Sequence, residues 1–287
     1  MTPTGALGTE RHVNSFIAWM GGKSRMAKTI CALLPEHRVY VEVFGGAAWV
    51  LFRKESSRVE IYNDLDGRLV ALFRSVKHHP QELLRELDLL VPSREMFELL
   101  RDQPGLTEIQ RAARFYYVLT SSYGAKCETP GSWKVRPPRF HLESMVARVE
   151  EIRERLSRVY IERDDFAGVI HRYDGPDTCL FVDPPYLGCE EYRVPFTQED
   201  HERLRENLAA AQGHWLLTYN DHADVRAMYE GQYRYAVEAP YTLSGEWKPG
   251  EQLIITNYEL TRTQRRRADR KLTKIPGPRR GGSKGDK

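Results

Sequence analysis

The sequence predicts an α/β protein whose mostly parallel sheet is interrupted by a helical insertion. Three observations predict it. Residues 39–76 alternate strand, helix, strand and helix. Residues 80–156 show helical spacing and almost no strand signal. From residue 159 the alternation returns and continues to residue 258. A chain of 287 residues can bury a core of ordinary size, as one large domain or two modest ones.

In chain order, residues 1–15 read as a leader with neither a basic region nor an apolar run. Residues 16–20 are briefly apolar and stop at Gly21-Gly22-Lys23. Ser24 is a candidate N-cap for a helix over 24–34, with Pro35 beyond its end. The β-branched and aromatic run 39–44 predicts a strand that stops at Gly45-Gly46-Ala47-Ala48. A helix opens over 49–54. A strand follows over 59–62, ending at Asn63-Asp64, and 65–76 is helical by its apolar spacing. This is the opening of a doubly wound sheet.

The insertion holds predicted helices over 80–90, 93–101, 107–122 and 142–156. Between the last two, residues 124–139 form an irregular stretch rich in Gly, Pro, Lys and Arg. A strand over 159–162 and a short helix over 166–173 restore the α/β rhythm. The apolar strand 179–182 runs into Asp183-Pro184-Pro185-Tyr186. Thr197 with Glu199-Asp200 signals the start of a helix over 197–212. Strands are predicted over 215–219 and 253–258, with a helix, a strand and a Gly/Pro-bearing loop between them. Beyond Leu260 the sequence is Arg, Lys, Gly and Pro, which predicts disorder.

The formal charge of +3 conceals an asymmetry. Residues 262–287 carry eleven basic and two acidic side chains, a net +9, which leaves −6 for the rest. An acidic body with a basic tail suggests an arm for a polyanion. Cys31, Cys127, Cys179 and Cys189 form no CxxC pair, which argues against a zinc site and for reduced thiols. No stretch approaches the ~18 consecutive apolar residues of a membrane span.

Two constellations carry chemistry. The first is the strand–glycine–helix junction at 41–47, where glycines let backbone approach a ligand and let helix and strand pack closely. Asp64 follows Gly45 by 19 residues, at the end of the next strand. An acidic residue about 20 residues on is where a ribose hydroxyl is gripped. The spacing is not GxGxxG, so a cofactor with ribose and no pyrophosphate fits better. The second is Asp183-Pro184-Pro185-Tyr186 after a buried strand. Two prolines make a stiff extended turn that presents Asp183 and the Pro184 carbonyl, both acceptors, beside the flat face of Tyr186. That set matches the exocyclic amine of a nucleobase. The purely structural alternative is a Pro turn with a buried tyrosine.

With these residues in view, the chain resembles the Dam-type class of S-adenosylmethionine-dependent DNA adenine N6-methyltransferases, particularly phage and prophage versions. The matching blocks are Trp19-Met20-Gly21-Gly22-Lys23, the stretch 40–50 around Phe44-Gly45-Gly46, the stretch 59–70 around Asn63-Asp64, 114–119, Arg163-Asp164-Asp165-Phe166 and 181–186. The resemblance implies a Rossmann-like methyltransferase sheet, with 16–79 and 157–261 as the catalytic domain. It makes 80–156 a target-recognition insertion and 262–287 a basic disordered tail. It implies that Trp19 and Lys23 line the methionine end of S-adenosylmethionine, and that Phe44 and Gly45 form the turn beneath it. By the same carry-over Asp64 holds the ribose hydroxyls, Asp165 and Phe166 grip the cofactor adenine, and Asp183, Pro184, Pro185 and Tyr186 form the methyl-transfer site, with no metal. Val43 departs from a frequent Pro, and Ala48 from a frequent Gly.

The substrate implied is double-stranded DNA, with the target adenine flipped out, in the cytoplasm of a bacterium or phage-infected host and without a membrane. N4-cytosine in DNA, adenine in RNA, and an inactive nucleic-acid-binding protein of the same fold are the alternatives. Lys126, Lys134, Arg136 and Arg139 around Trp133 are candidate DNA contacts. The basic tail is a candidate for nonspecific phosphate contact. Tyr116, Tyr117 and Tyr123 read as core, His78-His79 as a helix end and Cys189 as inert. A monomer is compatible with all of this, and neither the DNA site nor a restriction partner is written in the sequence.

Overall fold

The computed structural model describes residues 13–131, 142–188, 193–243 and 246–276. In chain order the elements are α1 (Ala27–Leu33), β1 (Val39–Glu42), α2 (Trp49–Arg53), β2 (Val59–Asn63), α3 (Gly67–His78), α4 (Pro80–Asp88), α5 (Arg94–Asp102), α6 (Glu108–Ser121), α7 (Leu142–Leu156), β3 (Val159–Glu162), α8 (Phe166–Tyr173), β4 (Thr178–Val182), α9 (Gln198–Ala210), β5 (His214–Asn220), α10 (Ala223–Met228), β6 (Tyr233–Leu243), β7 (Glu246–Thr256), α11 (Arg262–Arg267) and β8 (Leu272–Ile275). The fold is α/β, of the Rossmann-like methyltransferase kind. The chain divides into two compact units, Met1–Cys31 with Gly45–Asp165, and Ala32–Phe44 with Phe166–Lys287.

In the first unit β2 and β3 pair in parallel, Glu60 opposite Val159 and Asn63 opposite Glu162. The crossover between them holds α3 to α7. Asp66 caps α3, its side chain accepting from the Arg68 amide. Leu69 to Phe73, Ser75 and Val76 of α3 are all buried, so a second layer must cover the helix. That layer includes α6, which starts on a Thr107–Gln110 capping box and buries Phe115 to Leu119. Residues 80–156 lie in one unit with β2 and β3. Tyr116 and Tyr117 are core, as expected, whereas Tyr123 is exposed, because it lies past the end of α6 in a 3-10 turn. The Tyr117 hydroxyl accepts from the Ser93 amide at 3.1 Å.

A buried ion cluster ties this unit together. Glu60 accepts from Lys54 at 2.5 Å and from Arg155 at 2.6 Å. Arg155 also donates to the Leu51 carbonyl at 2.5 Å, joining α2, β2 and the last turn of α7. Lys54 and Glu60 are buried, Arg155 is nearly so, and each charge is paired, which such a site requires.

In the second unit the strand order is β1-β4-β5-β7-β6-β8. β1, β4 and β5 are parallel, whereas β7, β6 and β8 join antiparallel. β4 is buried along its whole length, which is why it reads as a continuous apolar run. Trp215 on β5 is buried and donates its indole N–H to the Leu208 carbonyl at 2.8 Å.

Two expectations about the elements are also corrected. Residues 262–276, predicted to be disordered with the rest of the tail, are ordered. A Thr261–Gln264 capping box starts α11, and the Gln264 amide nitrogen donates to the Leu33 carbonyl at 2.7 Å. β8 pairs with β6, Leu272 opposite Val237 and Ile275 opposite Arg234. Ser24 is not the cap of α1, which begins at Ala27 after a turn. Residues 1–12 and 277–287, parts of the predicted leader and tail, lie outside the described residues. Among the described residues no helix is long and apolar enough to cross a membrane.

Candidate active site

Each unit holds one carboxylate-centred cluster at the carboxyl ends of its parallel strands, the position where open α/β sheets bind ligands. In the first unit the chain leaves β2 at Asn63-Asp64. The Gly45 amide donates to the Asn63 carbonyl at 2.7 Å, which lays the glycine turn on the end of β2. Gly45 has no room for a side chain, since a Cβ there would lie 2.2 Å from the Tyr62 ring. Gly46 has φ +48°, and a Cβ there would lie 3.0 Å from the Trp19 ring. The turn closes on Ala48, whose φ of 54° is left-handed and strained for an alanine.

Asp64 is held by backbone. Its Oδ2 accepts from the Gly46 amide at 2.8 Å and its Oδ1 from the Asp66 amide at 2.8 Å. Burial pushes its carboxyl up to about 6, against the pull of those two amides. Each oxygen has a further acceptor direction, so a pair of hydroxyls is chemically suited to it. Trp19 meets Phe115 edge-on at 6.0 Å, and the Arg68 guanidinium lies 5.0 Å from the Phe115 ring while pairing with Asp66 at 2.6 Å. Lys23 is buried and donates to the Gly21 carbonyl at 2.9 Å. The Asn63 side chain donates to the Asp164 carbonyl at 3.1 Å and accepts from the Asp164 amide at 2.9 Å, which sets the turn carrying Asp165.

In the second unit Phe44 follows β1, Asp183 follows β4, and Thr218-Tyr219-Asn220 end β5. The Val43 amide donates to the Phe181 carbonyl at 3.0 Å, so the β1 and β4 ends stay aligned past the strands. The Thr218 hydroxyl donates to Asp183 Oδ1 at 2.7 Å. Pro184 and Tyr186 are buried. The Tyr186 ring lies 5.7 Å from that of Tyr219, tilted by 31°. The Tyr219 hydroxyl is hydrogen-bonded to His201 Nδ1, and both residues are buried. Burial lowers the His201 pKa and raises that of Tyr219, so both are neutral at pH 7. Nearby, Phe44, Phe166 and Phe196 cluster with ring centroids 5.6–5.8 Å apart. The Arg203 guanidinium sits 4.8 Å from the Phe166 ring centroid.

A family model described as D12 class N6 adenine-specific DNA methyltransferase matches residues 19–243, the span that carries both clusters. The chain belongs to that class. The type II methyltransferase M1.LlaDCHI of Lactococcus lactis subsp. cremoris is 26% identical over 277 residues, covering 86% of this chain and 96% of that protein. A DNA adenine methylase of Salmonella typhi is 24% identical over 235 residues, covering 75% and 84% of the two chains. One from Vibrio cholerae serotype O1 (strain ATCC 39541) is 24% identical over 254 residues, covering 80% and 90%. The methyltransferase is thus an enzyme that methylates the N6 amino group of adenine in DNA, site-specifically. Its substrate is DNA, and methyltransferases of this family use S-adenosylmethionine in general.

The predicted site residues of the methyltransferase fall in both units. Trp19, Lys23, Gly45, Asp64 and Asp165 lie in the first. Phe44, Phe166, Asp183, Pro184, Pro185 and Tyr186 lie in the second. Lys126 follows a 3-10 turn at Tyr123–Ala125 and is partly exposed. Trp133, Lys134, Arg136, Arg139 and Cys189 lie outside the described residues. Sequence reasoning missed Phe196, His201, Arg203, Thr218 and Tyr219. The available signal was positional, since Thr218-Tyr219-Asn220 end the parallel strand next to the one that delivers Asp183.

Proposed function

We propose that the methyltransferase takes S-adenosylmethionine as donor and a flipped-out adenine of double-stranded DNA as acceptor. The observation that carries this reading is Asp183, an acceptor fixed at 2.7 Å by a buried hydroxyl directly after a fully buried strand. The cofactor fits the first cluster. Asp64 offers acceptors for ribose hydroxyls above a turn whose glycines leave the backbone bare, with Trp19 against Gly46 and Lys23 behind the methionine end. Asp165 and Phe166 serve the cofactor adenine. Bound there, S-adenosylmethionine supplies an electrophilic methyl group.

The chain's own residues act on the target base. Asp183 and the Pro184 carbonyl accept the two N–H bonds of the adenine amine. That draws the nitrogen toward a tetrahedral geometry with its lone pair free to attack. Tyr186, backed by Tyr219, fixes the plane of the base. Asp183 also stabilises the positive charge that develops on nitrogen, from a position set before reaction. The remaining rate comes from holding two reactants in line. No metal and no covalent enzyme intermediate enter this mechanism. Lys126 and the basic stretch with Trp133, Lys134, Arg136 and Arg139 contact the DNA, and one copy of the chain acts in the cytoplasm.

Nucleoside digestion of DNA from cells expressing the protein tests the reading. N6-methyladenine is expected. N4-methylcytosine, methylation of RNA alone, or no methylated base would overturn it.

A further inference from the structure

We propose that Thr218 is a positioning residue for methyl transfer, its hydroxyl fixing the orientation of the Asp183 carboxylate. The proposal rests on the reading of Asp183 as an acceptor for the target amine. Three observations support it. First, Thr218 is fully buried in a strand paired on both sides: Leu217, its neighbour, is opposite Val182 of β4, and Thr218 itself is opposite Ile254 of β7. Its backbone has nowhere to shift, and a β-branched side chain has few rotamers. Second, the hydroxyl has one proton and two acceptors within reach. Asp183 Oδ1 lies at 2.7 Å and the Val182 carbonyl at 3.5 Å. The shorter contact has the length of a good O–H···O bond and takes the proton. Third, Thr218 interrupts the apolar run Trp215-Leu216-Leu217, where packing alone would be met by valine. A buried hydroxyl there needs a partner, and its partner is the carboxylate.

The consequence for chemistry is geometric. The carboxylate torsion of an aspartate is broad, so the hydrogen bond from Thr218 narrows the arc its oxygens cover. Anchoring Oδ1 sets the plane of the group and therefore the direction of Oδ2. Thr218 need not touch the substrate to do this. Its removal leaves a properly folded site whose acceptor is misaimed.

The test compares Thr218→Val, Thr218→Ala and Thr218→Ser in the full chain, with Asp183→Ala alongside. Tritiated methyl transfer from S-adenosylmethionine to unmethylated genomic DNA gives kcat and KM, calorimetry gives cofactor affinity, and thermal melting reports the fold. Loss of the hydroxyl is expected to lower kcat on the order of 10- to 100-fold, with KM and cofactor affinity within about twofold of wild type. Thr218→Ser is expected to recover kcat to within about threefold, as the hydroxyl is kept. Should the valine variant not fold, the alanine variant carries the same comparison. Wild-type kcat in a folded valine or alanine variant, with Asp183→Ala inactive, overturns the role of Thr218 and leaves the Asp183 reading standing. A serine variant as impaired as valine also overturns it. Transfer by Asp183→Ala at wild-type rate overturns both.

Discussion

Asp64 and Asp183 are built in opposite ways. Asp64 accepts from two backbone amides, those of Gly46 and Asp66. Short of proline at 46 or 66, no substitution at a neighbouring side chain removes those donors. Asp183 is held by a side chain, Thr218, 35 residues further along the chain. The first cluster is a property of backbone geometry and is robust to mutation of its surroundings. The second includes a side-chain to side-chain bond and is tunable there. The proposed binding role of the first and reacting role of the second match that division.

The largest expected effect is at Asp183. Asp183→Ala should lower methyl transfer by about a thousandfold or more, with melting temperature nearly unchanged. Near wild-type transfer would erase the contrast between a binding and a reacting carboxylate. Next comes the frame of the first unit. Arg155→Met breaks the buried cluster around Glu60 and should destabilise the protein on the order of 3 kcal/mol in denaturant titrations, with kcat of the folded fraction retained.

Asp64→Ala should weaken cofactor binding by about thirtyfold while DNA affinity moves little, because the bonds lost are those to the cofactor and to the Gly46 and Asp66 amides of the same turn. A calorimetric affinity equal to wild type would refute the ribose-binding role. The pH dependence has a definite sign. Asp64 is held up to about 6, and the ionised form is the acceptor, so cofactor affinity should fall as pH drops through about 6. For folding of the free chain the sign is reversed. A carboxyl raised in the folded state contributes stability below the ordinary carboxylate range, and that contribution is lost as pH rises through about 6. Opposite slopes for binding and stability are the signature to measure.

The smallest effect is at the turn. Ala48→Gly removes left-handed strain from an alanine at φ 54° but frees the unfolded chain, for a net gain of about 0.5 kcal/mol in stability. Cofactor affinity should not change.

The same contrast explains what the sequence made legible. The glycine turn and Asp64 leave local marks, namely strand ends, consecutive glycines and a fixed spacing. The proline turn at Asp183 is equally local. Thr218 carries no such mark, because a threonine inside an apolar strand announces its partner only once β4 and β5 are side by side. His201 and Tyr219 were hidden for the same reason, one on α9 and one on β5. Over residues 262–276 composition misleads. The tail's Arg, Lys, Pro and Gly content predicts disorder, yet Thr261 and Gln264 form a capping box, and Leu272 and Ile275 are sufficient for a short strand.

That short strand bears on how the protein stays dispersed in a crowded cell. β6 offers Arg234 to Val237 to whichever strand comes next, and β8 takes those hydrogen bonds. The rim then passes to a strand of four residues with Thr273 and Lys274 exposed, and Lys271 exposed just before it. A short, lysine-bearing rim resists edge-to-edge stacking with other molecules. Some of the positive charge at the end of this chain therefore guards against aggregation, independently of any nucleic acid. A version of the protein ending at residue 261 would expose the edge of β6 to self-association.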